Sequence, residues 1–108
     1  MSYFSKWWSE TDQETQEKVR QLVKEGRLEL VSGGYVQHDE ATTTYNDILV
    51  NMMTGHRFLK EEFGIEPRIG WQMDAYGHSD TSARLFAEMG MDALFIGRGD
   101  IEDKEQRI

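Results

Sequence analysis

The stretch that decides the fold is Arg68-Ile69-Gly70-Trp71-Gln72-Met73-Asp74-Ala75-Tyr76-Gly77-His78-Ser79. Its first six residues follow a proline that interrupts helices, and they predict a short strand. The strand brings Asp74 to its C-terminal end, and a helix is expected to begin near Ser79 or Thr81. A carboxylate that leaves a buried strand is costly unless a metal, an arginine or helix amides compensate it. Asp74 is therefore the best candidate in the chain for a functional acid.

A helix followed by a strand occurs three times along the chain. The predicted helices run from Ser9 or Thr11 to Glu25, from about Thr43 to Phe63, and from Ser79 or Thr81 to Gly90. The predicted strands are Leu28–Val31, Arg68–Met73 and Ala93–Gly97. The last of these strands is apolar enough to be buried on both faces. The pattern predicts an α/β fold made of three helix–strand units of a parallel sheet.

Ligands of such folds bind at the C-terminal ends of the strands. Those ends carry Gly33-Gly34, Asp74 and Arg98. Two interpretations of Asp74 remain open, because it could also cap the third helix or begin a turn with Gly77. Arg98 could hold a neighbouring carboxylate ionised, or it could be an exposed loop arginine paired with an acidic neighbour.

Histidines and tryptophans supply further candidates. His78 could orient Asp74, or it could be a structural hydrogen bonder near the start of the third helix. His38-Asp39-Glu40 looks like a metal cluster, but adjacent side chains seldom reach one ion, so Asp39 or Glu40 is expected to cap the second helix or close the loop. His56 is expected at the surface or in a groove. Trp7, Trp8 and Trp71 could form sugar platforms or belong to the core.

Composition excludes several classes of protein. The 108 residues carry a formal charge of −8, which argues against a nucleic-acid partner. The absence of cysteine rules out disulfides and thiolate zinc sites. No apolar run approaches the roughly 20 residues needed to cross a bilayer, so no membrane partner is expected. The first eight residues lack the features of a secretory signal.

Several motifs together resemble the α-mannosidases of glycoside hydrolase family 38, in particular the lysosomal branch. The stretch from Trp71 to Ser79 is similar to the family signature Trp-x-Ile-Asp-Pro-Phe-Gly-His-Ser. The loop from Gly33 to Thr43 is similar to Gly-Gly-Trp-x-x-Asn-Asp-Glu-Ala-x-x. Further similarity is carried by Phe4-Ser5-Lys6-Trp7-Trp8, Gln21–Glu29, Thr54–Leu59, Leu85–Gly90 and Gly97-Arg98-Gly99-Asp100.

The resemblance implies that residues 1–108 are a partial family 38 N-terminal catalytic domain, within a (β/α)7-type barrel. It implies retaining hydrolysis of terminal α-mannosides, with Asp74 as both the nucleophile and a zinc ligand. Arg98 would bind substrate beside Asp74, and His78 would be a supporting residue. The implied partners are a mannose-containing glycan and the remainder of the mannosidase chain, and the implied location is the lysosome or secretory pathway.

Two features depart from the family pattern. The signature's Pro and Phe are replaced by Ala75 and Tyr76. The family's upstream His-x-Asp-x-Gly-Trp zinc motif and its acid/base Asp have no counterpart in the chain, so the remaining zinc ligands must come from outside it. The 108-residue chain alone is therefore expected to be inactive. The alternative hypothesis is an inactive remnant that binds a sugar or a partner.

Overall fold

A computed structural model describes residues 1–73, 75 and 77–97 of the chain. These residues form four helices and two strands. In chain order they are α1 (Ser2–Glu10), α2 (Gln13–Lys24), α3 (Tyr45–Phe63), β1 (Ile69–Gln72), α4 (Asp80–Glu88) and β2 (Ala93–Ile96). The predicted α/β class is confirmed. No helix within the described ranges is long and apolar enough to span a bilayer.

The two strands form a small parallel sheet. Ile69 lies opposite Ala93, and Gln72 lies opposite Ile96, so both strands end at the same edge. Helix α4 connects them, as the alternating pattern predicts. The Gly97 amide also donates to the Gln72 carbonyl at 3.0 Å, which continues the pairing just beyond β2. Met73 and Gly97, which directly follow β1 and β2, are thereby brought together.

The main core lies between α3, α4 and the sheet. Its buried members are Ile48, Met52, Leu85, Phe86 and Met91. Met52 and Phe86 are almost completely excluded from solvent, at 0% and 1% exposure. These two side chains come from different helices and belong to one buried cluster, which links α3 to α4.

Aromatic side chains attach α1 to the end of α3. Trp8 is 3% exposed, and its ring centroid lies 4.8 Å from that of Phe63. The Trp8 indole donates to Glu62 at 2.9 Å, so its polar atom is satisfied. The core interpretation is confirmed for Trp8, whereas Trp7 and Trp71 are exposed.

The ends of α3 and α4 agree closely with the sequence pattern. Thr44 caps α3 by accepting from the Asp47 amide, and Gly64 ends the helix in the left-handed conformation. Ser79 caps α4 by accepting from the Thr81 amide. The alternative interpretation of Asp74, as a helix cap or the start of a turn, falls on a residue outside the described part of the chain.

The start of the first predicted helix was placed incorrectly. Asp12, rather than Ser9 or Thr11, caps α2, and its carboxylate accepts from the Thr15 amide at 2.7 Å. Ser9 belongs to α1, a separate helix that the apolar spacing does not predict. Thr11 is the extended residue that ends α1.

The predicted strand over Leu28–Val31 is wrong, so the sheet described here has two strands instead of three. Ser32 donates its amide to the Ile69 carbonyl at 2.7 Å, beside the first residue of β1. Ser32 and Gly33 then adopt positive φ angles of 57° and 83°, which turn the chain away before a ladder can form.

The expected burial of the last strand on both faces is also wrong. Leu94 packs against the core, but Phe95 and Ile96 are 52% and 41% exposed. Phe95 lies beside Trp71 of β1, with ring centroids 6.0 Å apart. One face of the sheet is therefore an apolar surface that the described residues do not cover.

Candidate functional site

The edge at which β1 and β2 end is the candidate site. Asp74 and Arg98, the two site residues predicted from the sequence, lie outside the described residues, as does Tyr76. The structure describes the residues on both sides of Asp74 and the loop that contacts them. Their arrangement shows how the chain around position 74 is held.

The residues before Asp74 form hydrogen bonds with a loop made of Gln37–Glu40, which we call the 37–40 loop. The Gln37 side-chain amide donates to the Trp71 carbonyl at 2.8 Å and to Gln72 Oε1 at 2.6 Å. Gln72 Nε2 lies 2.8 Å from His38 Nε2. Gln72 is completely buried and His38 is 6% exposed, so this contact is shielded from water.

Helices α3 and α4 hold His38 from its other sides. Asn51 of α3 lies 3.3 Å from His38 Nδ1, through its side-chain nitrogen. The same Asn51 side chain exchanges two hydrogen bonds with the backbone of Val36, at 2.8 and 2.9 Å. The ring of Phe86 meets the His38 ring edge-on, with centroids 5.7 Å apart. His38 is thereby packed on three sides.

The residues after Asp74 are fastened to the same loop by Glu40. One carboxylate oxygen of Glu40 lies 2.7 Å from His78 Nδ1, and the other accepts from the Ser79 amide at 3.2 Å. His78 Nε2 lies 2.6 Å from the Gly97 carbonyl, at the end of β2. The Glu40 side chain is 2% exposed and that of His78 is 18% exposed. The structural interpretation of His78 as a hydrogen bonder is confirmed.

Asp39 closes the loop, as predicted. Its side chain accepts from the Ala41 amide at 3.0 Å, and its carbonyl accepts from the amides of Thr42 and Thr43. Neither Asp39 nor Glu40 caps α3, because Thr44 does so. The contacts of Glu40 with the segment after Asp74 were missed by the sequence interpretation.

The pKa values of His38 and His78 shift in opposite directions. Burial lowers the pKa of His38 below its ordinary value, although Glu40 and Asp39 act in the other direction. Burial also disfavours the charged form of His78. There, however, the Gly97 carbonyl and the Glu40 carboxylate prevail and raise the pKa. His56 is half-buried on α3 and contacts the Ser32 carbonyl at 2.8 Å.

The described residues do not fit a metal ion by themselves. No group of three or more His, Cys, Asp or Glu side chains that could hold a metal occurs among residues 1–73, 75 and 77–97. Both ring nitrogens of His38 and of His78 already face other polar groups.

Several curated proteins that are similar to the chain carry the name lysosomal alpha-mannosidase. Over 108 residues it is 47% identical to a lysosomal alpha-mannosidase of Dictyostelium discoideum, covering 100% of this chain and 11% of that protein. It is 47% identical over 110 residues to the lysosomal alpha-mannosidase of Homo sapiens, with the same two coverages. A relative from Cavia porcellus with the same name is 50% identical over 106 residues, covering 96% of this chain and 10% of the relative.

The chain thus spans about a tenth of the length of these relatives. A family description, "Glycosyl hydrolases family 38 N-terminal domain", matches residues 1–108. This match covers all of the chain, including the loop and both fastened segments. The chain belongs to the glycosyl hydrolase family 38 N-terminal domain family.

Proposed function

We propose that the protein containing this chain is an α-mannosidase that removes terminal α-D-mannose from oligosaccharides or glycoproteins with retention of configuration. The observation that carries the proposal is the family match over the whole chain, together with relatives that are named lysosomal alpha-mannosidase. The structure supports the proposal, because the 37–40 loop forms hydrogen bonds with the chain on both sides of Asp74.

In the proposed reaction Asp74 is the nucleophile. Its carboxylate forms a bond to the anomeric carbon as the glycosidic bond breaks, and a second carboxylic acid gives a proton to the leaving oxygen. Water, deprotonated by that second group, then displaces Asp74 from the sugar, so two inversions give net retention. We assign no residue of this chain to the acid/base role.

The arrangement of the chain favours this role for Asp74. A nucleophile must be held close to its in-line position, and small displacements are costly in rate. Gln72 lies two residues before Asp74 and is fully buried, while His78 lies four residues after it and contacts both Glu40 and the Gly97 carbonyl. We further propose that Arg98, directly after Gly97, binds substrate and keeps Asp74 ionised.

We propose zinc as the cofactor, with Asp74 as one ligand and the other ligands outside this chain. Zinc sites in enzymes use three protein ligands, and the described residues supply no such set. Zinc would supply Lewis-acid polarisation and a grip on the sugar hydroxyls.

We also propose that the two strands are part of a (β/α)7-type barrel in a longer chain that resides in the lysosome. The parallel pairing of β1 with β2 and the connecting helix α4 are consistent with such a barrel. The uncovered apolar side chains Trp71, Phe95 and Ile96 would pack against its remaining parts.

The test is Asp74→Asn in the full-length protein, assayed on a synthetic α-mannoside. Turnover should fall by more than about 10³-fold, because an amide cannot serve as the nucleophile. Asp92→Asn is the matched control, since Asp92 is exposed and immediately precedes β2, at the opposite end of the sheet. A near wild-type rate for Asp74→Asn, or a fluorinated sugar trapped on a different residue, would refute the assignment.

A further inference from the structure

The 37–40 loop contacts the chain on both sides of position 74. Gln37 and His38 reach Trp71 and Gln72 before it, through contacts of 2.6 to 2.8 Å. Glu40 reaches His78 and Ser79 after it, at 2.7 and 3.2 Å. Because the loop and these partners are separated by more than 30 residues in sequence, the contacts are tertiary and fix the segment from outside.

The contacts of Gln37 determine the orientation of the Gln72 amide. Gln37 Nε2 faces the Trp71 carbonyl, which can only accept, so this atom is the NH2 group. It therefore donates to Gln72 at Oε1, which leaves the Gln72 NH2 group facing His38 Nε2.

The other ring nitrogen of His38 also faces an amide donor. Asn51 Oδ1 accepts from the Val36 amide, so the Asn51 NH2 group lies toward His38 Nδ1, at 3.3 Å. An imidazolium has an N–H on both nitrogens and would oppose a donor at each. A neutral ring can accept the shorter bond, from Gln72 at 2.8 Å. The contacts around His38 therefore favour the neutral form, because only the longer 3.3 Å contact then sets two N–H groups against each other.

The surroundings of His78 have the opposite requirement. Its Nδ1 faces the Glu40 carboxylate at 2.7 Å, and its Nε2 faces the Gly97 carbonyl at 2.6 Å. The Gly97 carbonyl only accepts, and so does Glu40 as a carboxylate, so with Glu40 ionised both ring nitrogens must carry hydrogen for both bonds to form. The geometry around His78 therefore requires the protonated form, which also balances the charge of the buried Glu40.

We infer that the 37–40 loop is the positioning element for Asp74, and that it works only with His38 neutral and His78 protonated. The inference rests on the proposed function for the role of Asp74, but the charge states follow from the contacts alone. His38, Glu40 and His78 are positioning residues, which act on the reaction through the backbone on either side of the nucleophile.

The two requirements set opposite pH limits. His38 loses its bond from Gln72 when the pH falls through its lowered pKa, and His78 loses its bond to Glu40 or Gly97 when the pH rises through its raised pKa. Among the described residues, the charged groups that act on both rings are Glu40 and Asp39. The groups from β1, α3 and α4 that face His38 are the uncharged Gln72, Asn51 and Phe86.

Nitrogen NMR of the 108-residue chain tests the charge states directly. The chain has three histidines, so single His→Gln variants assign all three rings in two-bond ¹H–¹⁵N spectra. At about pH 6.5, the ordinary midpoint, His78 should show two protonated nitrogens and His38 one unprotonated nitrogen. A cationic His38 or a neutral His78 at this pH would overturn the inference.

Kinetics of the full-length protein test the positioning role. His38→Gln can place a carbonyl oxygen near the position of Nε2 without titrating, whereas His38→Leu has no acceptor. We expect His38→Leu to lower kcat roughly tenfold with KM changed by less than about twofold. His38→Gln should recover most of kcat and extend the acidic limb of the pH profile to lower pH.

Glu40→Gln and Glu88→Gln form a matched pair, since the same change is made at a buried site and at a 61% exposed one. Glu40→Gln should lower kcat and move the alkaline limb to lower pH, while Glu88→Gln should change neither. The positioning role would be contradicted if the acidic limb of the kcat–pH profile were unchanged in His38→Gln and the alkaline limb were unchanged in Glu40→Gln. If the unmodified protein hydrolyses no α-mannoside, the proposed function fails, and the NMR result still decides the charge states.

Discussion

Gly55→Ala should destabilise the chain, although alanine normally favours a helix. Gly55 lies within α3, where this change gains about 1 kcal/mol at an exposed interior position. Here a Cβ would lie 1.8 Å from the Gly33 carbonyl oxygen and 2.7 Å from the Tyr35 nitrogen. The first distance is about 1.6 Å short of the 3.4 Å at which ordinary contact begins. Because both obstacles are backbone atoms, the segment 33–36 that precedes the 37–40 loop must move.

The magnitude follows from what that movement disrupts. Overpacking a well-packed site costs about 3 kcal/mol at the upper end of the usual range. The segment 33–36 also forms two hydrogen bonds with α3, from the Tyr35 amide to the Asn51 carbonyl and from the Val36 amide to the Asn51 side chain. Each contributes about 1 kcal/mol. After the gain in helix propensity, we expect a net loss of roughly 4 kcal/mol.

Urea unfolding followed by tryptophan fluorescence measures this loss. Gly64→Ala is the control, because no atom lies within 4 Å of its added Cβ and the cost comes from a φ of +67° alone. That variant should lose about 1 kcal/mol. Equal or greater stability of Gly55→Ala relative to the unmodified chain would show that α3 and residues 33–35 do not meet as described. The 37–40 loop would then lack its support.

Two further predictions concern the core and the metal. Phe86→Ala should lower the free energy of unfolding in urea by about 3–5 kcal/mol, because Phe86 is 1% exposed, whereas Phe95→Ala at 52% exposure should cost under about 1 kcal/mol. Similar losses for both would mean that the core is not where it is described. In calorimetry, the 108-residue chain should show no saturable zinc binding at about micromolar concentration, since one carboxylate is a poor site. Tight stoichiometric binding would contradict the ligand assignment.

The sequence pattern predicted those helices and strands whose ends are marked by residues close to them in sequence. The predicted end of α3 at Gly64 is observed, and the strand expected over residues 68–73 is observed as Ile69–Gln72. Each of these features depends on near neighbours in sequence, so the pattern is sufficient. The pattern failed for the strand over 28–31, because Ser32 and Gly33 turn the chain in a way that apolar spacing does not encode.

Helix α1 was missed for a different reason. Its apolar residues are aromatic and lie next to one another, and the contact of Trp8 with Phe63 that holds it spans 55 positions. Caps were ambiguous where Ser9, Thr11 and Asp12 are close together, and the tertiary placement of α1 decided among them. Long-range packing therefore overrode local preference in this part of the chain.

In the candidate site, too, features set by neighbouring residues were predictable and features set by distant residues were not. The position of Asp74 at the end of a strand follows from local pattern, and the family resemblance is confirmed by the match over residues 1–108. The partnership of the 37–40 loop with Gln72 and His78 could not be predicted. Nothing in a run such as His38-Asp39-Glu40 indicates which distant backbone it will meet.

The burial of Glu40 has a consequence for the order in which the protein forms. Its carboxylate can leave water only when His78 and Ser79 are present to receive it, and His78 in turn needs the Gly97 carbonyl. A ribosome releases residue 40 long before residue 97. We therefore expect Glu40 to stay hydrated through most of synthesis, and this corner of the molecule to assemble late, in a single step that joins three distant segments.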